Sequence, residues 1–99
     1  MTVNEIKNED FIQLDVEGRV DTTTAPDLQK AVLTAFQKSK NLVLNFAGVE
    51  YISSAGLRSL LIGQKTAMSK GGKMTVTGAN DAVKDIFKVT GFINILTVE

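Results

Sequence analysis

The chain has no cysteine, no histidine and no tryptophan. Without cysteine there is no disulfide frame, no thiolate nucleophile and no Cys-based zinc or iron–sulfur site. Without histidine the commonest general base and the commonest metal ligand are both missing. The carboxylates are scattered along the sequence with no convergent pair, so an enzyme is not expected, and neither is a metal or a cofactor. Charge of one sign is lacking too: eleven Lys and Arg against eleven Asp and Glu sum to zero. No basic surplus exists to neutralise phosphates, and five Phe with one Tyr supply few rings to stack on bases, so nucleic acid is not an expected partner. No apolar run approaches the roughly 20 residues that span a bilayer, and Met1–Glu5 is not a basic stretch leading into an apolar one. The expectation is a cytoplasmic protein without membrane insertion. At 99 residues the chain is expected to be a single domain, residues 1–99, around one core.

Val3 to Lys7 reads as a weak strand. Ile12, Leu14 and Val16 alternate with Gln13, Asp15 and Glu17, the period of a strand buried on one face. Thr24 is placed to cap a helix over about 25–38, with Pro26 in its first turn and Leu28, Val32, Ala35 and Phe36 at helical spacing. Leu42-Val43-Leu44-Asn45-Phe46 shows little alternation, which predicts a central strand covered on both faces. After Tyr51-Ile52, the hydroxyls of Ser53 and Ser54 stand where a helix begins, and Leu57, Leu60, Leu61 and Met68 form its predicted core stripe up to Gly71-Gly72. Lys73–Thr77 is a short strand. Asn80 caps a third helix through Val83, Ile86 and Phe87, which Gly91 stops, and Ile93–Val98 is a short last strand. A strand–helix–strand unit returns by a right-handed crossover to a parallel neighbour, so the pattern predicts an α/β fold, a mixed β-sheet with helices packed on it.

Two glycine- and hydroxyl-rich segments invite chemistry and do not carry it. Gly71-Gly72-Lys73-Met74 has the order of a phosphate-binding loop reversed and suits a helix end running into a strand. Asp21 with Thr22, Thr23 and Thr24 is a turn of the kind that precedes helices, explained without a cation. The segment from Val49 to Arg58 differs, because two serines, a small residue and a glycine fall where a strand meets a helix start. Unpaired N–H groups and the positive end of the helix dipole accommodate a phosphate there, which makes Ser54 a sensible phosphoacceptor. On local chemistry alone, Ser54 as a plain N-cap is the competing reading.

Tyr51-Ile52-Ser53-Ser54-Ala55-Gly56-Leu57-Arg58, preceded by Leu42–Phe46, closely resembles the signature of the STAS-domain family of bacterial anti-sigma factor antagonists. Gly18-Arg19-Val20-Asp21 and the stretch from Gly71 to Phe92 match the family elsewhere, so the resemblance spans essentially the whole chain. It implies a protein-binding switch. The unphosphorylated form binds an anti-sigma factor that is also a serine kinase, freeing the sigma factor; phosphorylation ends this, and a metal-dependent serine phosphatase restores it. The resemblance makes Ser54 the phosphoacceptor, Asp21 a loop acid at the kinase-binding surface, and Gly56 the glycine that lets a partner approach. Ser53 stands where many members have Asp, and is a second candidate acceptor. The alternative within the family is a constitutive subunit of a lipid-transport or stress-signalling assembly, not phosphorylated.

At about 100° per residue, the predicted stripe on the second helix leaves Ala55, Ser59, Ile62 and Thr66 opposite it, with Arg58 and Lys65 at the flank. That outward face lacks charge at its centre and suits a protein partner. The expected binding surface is therefore Asp21, Thr22, Ser53, Ala55, Gly56, Arg58, Ser59 and Ile62 around Ser54.

Overall fold

The computed structural model describes all residues 1–99. In chain order the elements are β1 (Thr2–Lys7), β2 (Ile12–Val20), α1 (Ala25–Lys38), β3 (Asn41–Ile52), α2 (Ser54–Ser69), β4 (Lys73–Thr77), α3 (Asp81–Thr90) and β5 (Thr97–Val98). The five strands form one sheet in the order β1-β2-β3-β4-β5. β1 runs antiparallel to β2, and every later pairing is parallel. β3 is central, as its sequence predicts. Each crossover moves one strand further in the same direction, and right-handed connections then put all three helices on one face.

One face of the sheet is therefore buried in the core, and the other is only partly covered, with Thr75 of β4 its one buried residue. Ile12, Leu14, Val16, Leu42, Leu44, Phe46, Met74 and Val76 join the inward residues of the helices in a single apolar core. The alternate positions Gln13, Asp15, Val43 and Asn45 are only half-buried. This corrects the expectation that β3 is covered on both faces. Val43 fits a pleated surface without a layer above it, and the polar positions bond to each other: Asn45 Nδ2 and Gln13 Nε2 donate to Asp15 Oδ1 at 3.0 and 2.8 Å. The chain end also differs from expectation. Phe92–Asn94 is a single 3₁₀ turn, and only Thr97–Val98 of the predicted 93–98 strand pairs with β4. Ile93 reaches the core from that turn.

The helix α2 is rotated from its predicted stripe. It buries Gly56, Leu57, Ser59, Leu60, Gly63 and Ala67, while Leu61 is half-buried and Met68 is 70% exposed. The reason is proximity. A methyl group at Gly56 would lie 2.6 Å from Ile52 Cγ1 and 2.8 Å from Val20 Cγ1, and one at Gly63 would lie 2.9 Å from Val32 Cγ1 and 2.8 Å from Met74 Sδ. α2 sits so close to the sheet and to α1 that its small residues form the contact, and Met68 falls outside it. Elsewhere the expected ends hold: Asn80 Oδ1 accepts from Val83 N at 2.8 Å to cap α3, and Gly91 closes it at φ +80°.

Candidate functional site

Val20 and Ile52 are register partners at the carboxyl ends of β2 and β3. Just beyond them Ser53 N donates to Val20 O at 2.8 Å. That bond fixes the start of α2 beside the loop carrying Asp21 and Thr22, so the two predicted parts of the site do lie together.

Within the Asp21 loop, the roles differ from those expected. Thr24 occupies the N-cap position of α1 in a helical conformation and makes no capping bond. Its Oγ1 donates instead to Arg19 O at 2.9 Å and accepts from Asp21 N at 2.9 Å. The organiser is Asp21, whose Oδ1 accepts from Thr24 N at 3.1 Å and Thr23 N at 3.0 Å, while its main-chain carbonyl accepts from Ala25 N at 2.8 Å. Donors aimed at a carboxylate favour its charged form. The Thr24 N–H foremost holds the Asp21 pKa below its ordinary value against some desolvation, helped by the Thr23 N–H, the Thr24 hydroxyl and the Arg19 charge. Arg19 itself lies over the Tyr51 ring, 4.6 Å from its centroid. This pairing borders the site and joins adjacent strands, a cross-strand partnership that one-strand periodicity does not reveal.

At the start of α2 the two serines divide their work. Ser53 is the N-cap: its backbone is extended, φ −92° and ψ 175°, and its Oγ accepts from Gly56 N at 3.3 Å. Ser54 is the first helical residue, exposed. The capping alternative for Ser54 is thereby displaced onto Ser53. The hydroxyl of Ser54 is left free at a helix terminus where N–H groups and the dipole favour negative charge.

Of the remaining predicted surface residues, Thr22 and Arg58 are exposed, and Ala55 and Ile62 are half-buried. Ser59 and Gly56 are corrections. Ser59 is 2% exposed and its Oγ donates to Ala25 O at 3.1 Å, tying α2 to α1. Gly56 is buried against Ile52 and Val20, so it serves the approach of α2 to the sheet and not that of a partner. The stripe Gly56, Ser59, Gly63, Ala67, small residues three or four apart, was the signal in the sequence for this packing. Ser54, Ala55 and Arg58 line one end of a groove of about 630 Å³ whose other wall is α1, including Lys30 and Leu33. Those two α1 residues were not among the predicted set, because only tertiary packing brings them into the same groove as Ser54.

A family model described as the STAS domain matches residues 2–99. The chain is 27% identical over 100 residues to an anti-sigma-B factor antagonist of Staphylococcus epidermidis, covering 99% of this chain and 92% of that one. Its fold is similar to that of an anti-sigma factor antagonist from Mycobacterium paratuberculosis, with a TM-score of 0.87 at 22% identity over 98% of this chain and 83% of the other. It is also similar to the Bacillus cell fate determinant SpoIIAA in its phosphorylated form, with a TM-score of 0.76 at 12% identity over 99% and 91%. No helix is long and apolar enough to cross a membrane.

Proposed function

This chain belongs to the STAS domain family, and we propose that it acts in the cytoplasm as an anti-sigma factor antagonist switched by phosphorylation of Ser54. The unphosphorylated form binds an anti-sigma factor that is also its kinase and so releases a sigma factor. In the reverse step the kinase moves the γ-phosphoryl group of ATP to Ser54 Oγ. The bond from that phosphorus to the ADP oxygen breaks, ADP leaves, and the serine proton passes to a base on the kinase. A serine phosphatase resets the switch. The chain itself binds and performs no catalysis.

The observation that carries this reading is the division between the two serines. Ser53 spends its hydroxyl on the helix cap, whereas the neighbouring Ser54 hydroxyl is exposed and structurally idle. Phosphate on Ser54 adds about −1.5 to −2 charges at neutral pH, and the helix start accommodates it. Phosphorylation therefore changes the surface and leaves the fold intact. A thousandfold loss of partner affinity corresponds to about 4 kcal/mol, a reasonable effect for charge and bulk placed in a desolvated contact. The relatives named as anti-sigma-B factor antagonists support the role, and SpoIIAA, which shares the fold, has a phosphorylated form.

Mass spectrometry of the protein purified from its own cells tests the proposal. The expected result is a single phosphate on Ser54, absent from Ser54→Ala. A chain that never carries phosphate under any growth condition overturns it and leaves the constitutive-subunit alternative.

A further inference from the structure

The groove between α1 and α2 has a charge pattern unlike that of the chain as a whole. Lys30 and Arg58 are the only charged residues that line it, although the sequence holds eleven carboxylates and eleven cations. Both are exposed, and neither has a carboxylate within ion-pairing distance: the one salt bridge of the chain joins Lys38 to Glu5. The nearby acids do not line the groove. Asp27 and Glu5 line a smaller adjoining hollow that shares Lys30 and Thr34 with it. Asp21 is held in its own loop by Thr23 and Thr24. The groove is thus lined by two cations and no carboxylate, and its volume of about 630 Å³ is within the range of clefts that hold ligands, roughly 300–1,000 Å³.

We infer that this groove receives an acidic segment of the protein partner, with Lys30 and Arg58 meeting its carboxylates. The inference rests on the reading of the chain as a protein-binding switch and names the chemistry of what it binds. The groove runs along α1 from Ala25 to Gln37, about 18 Å at helical rise, a length that suits an extended row of carboxylates better than one compact anion. Leu33 gives the segment an apolar step, Gln29 and Gln37 offer amides to its main chain, and the small residues Ala25 and Ala55 let it approach closely.

The same groove gives the switch its sign. Arg58 lies one turn beyond Ser54 on the same face of α2, a spacing at which helical side chains are neighbours, and both line the groove. A phosphate on Ser54 takes Arg58 for itself and adds negative charge to the end of the groove. An acidic segment then loses one anchor and meets a like charge.

The test uses fluorescein-labelled hepta-glutamate and hepta-lysine peptides, titrated into the full chain by fluorescence anisotropy, with amide chemical shifts to locate the contact. Hepta-glutamate is expected to bind saturably and to shift the amides of Gln29, Leu33 and Ala55, and hepta-lysine to do neither. Lys30→Glu and Arg58→Glu, both at exposed positions, should each weaken binding at least tenfold, as should raising NaCl from about 50 to 300 mM. Chain carrying genetically encoded phosphoserine at position 54 should bind at least tenfold more weakly as well. The inference is overturned if hepta-glutamate leaves the groove amides unmoved, if hepta-lysine binds equally, or if the charge-reversed variants bind like the parent. It is also overturned if the groove amides shift with protein concentration alone, which would make a second copy the occupant. Because the phosphoserine is installed without a kinase, these outcomes are independent of whether cells phosphorylate Ser54.

Discussion

Replacing Ser53 and Ser54 singly by alanine should give unequal losses of stability. Ser53 Oγ accepts from Gly56 N at 3.3 Å, a long bond, which places its loss in the lower half of the 0.5–2 kcal/mol typical for a serine cap, at about 0.5–1 kcal/mol. Ser54 is the first residue of α2 and exposed. Its alanine variant gives up no cap and gains slightly in helix propensity, so its change should lie within about ±0.5 kcal/mol. For a chain of this size one kcal/mol moves the Tm by roughly 4–8 °C. Ser53→Ala should therefore melt about 2–8 °C below the parent, and Ser54→Ala close to it. Urea unfolding followed by circular dichroism, with midpoints compared at a shared m-value, measures both. If Ser54→Ala proves the less stable of the two, Ser54 is the cap, its hydroxyl is not idle, and the reasoning that singles it out for phosphorylation is wrong.

Gly56→Ala should lose roughly 1–2 kcal/mol despite the better helix propensity of alanine, because the new methyl meets Ile52 and Val20 below 3 Å; an equally stable variant in thermal denaturation would show that α2 can move off the sheet. Leu60→Ala, at a fully buried position, should cost about 2–5 kcal/mol by urea unfolding, and a loss below 1 would place α2 outside the cooperative core. Asp21 has a lowered pKa in the folded chain, so its contribution to stability is present above its unfolded pKa of about 3.9 and is lost as pH falls through the folded value. Between pH 5 and pH 2 the parent should therefore lose more stability than Asp21→Asn, and parallel pH profiles would remove Asp21 from the role of loop organiser.

Much of the architecture was legible because each element carried its own local signal. The alternation in 12–17 marked β2, Asn80 and Gly91 bracketed α3, and the paired serines marked the start of α2 to within a residue or two. What the sequence concealed was relational. Leu42–Phe46 looks two-sided because Val43 and Asn45 are compatible with either environment, and only the one-directional order of the strands decides that a face stays open. Residue size is a misleading guide to the orientation of α2. Leu61 and Met68 looked like core, yet the closeness of the sheet and α1 selects Gly56, Ser59, Gly63 and Ala67. For the candidate site, adjacency of Asp21 and Ser54 followed from the family resemblance, and the structure gives its cause in the bond from Ser53 N to Val20 O. Which serine caps was not legible, since both are good N-caps by type and the difference is one of backbone position.

The central claim is that Ser54 controls partner binding through charge, and binding of purified chain to the anti-sigma factor of its own cells, before and after phosphorylation at Ser54, tests it most directly. Isothermal calorimetry should find a tight complex with the unphosphorylated chain and a loss of about a thousandfold on phosphorylation, with the melting temperature of the chain nearly unchanged. Equal affinities for the two forms, with both folded, would contradict it.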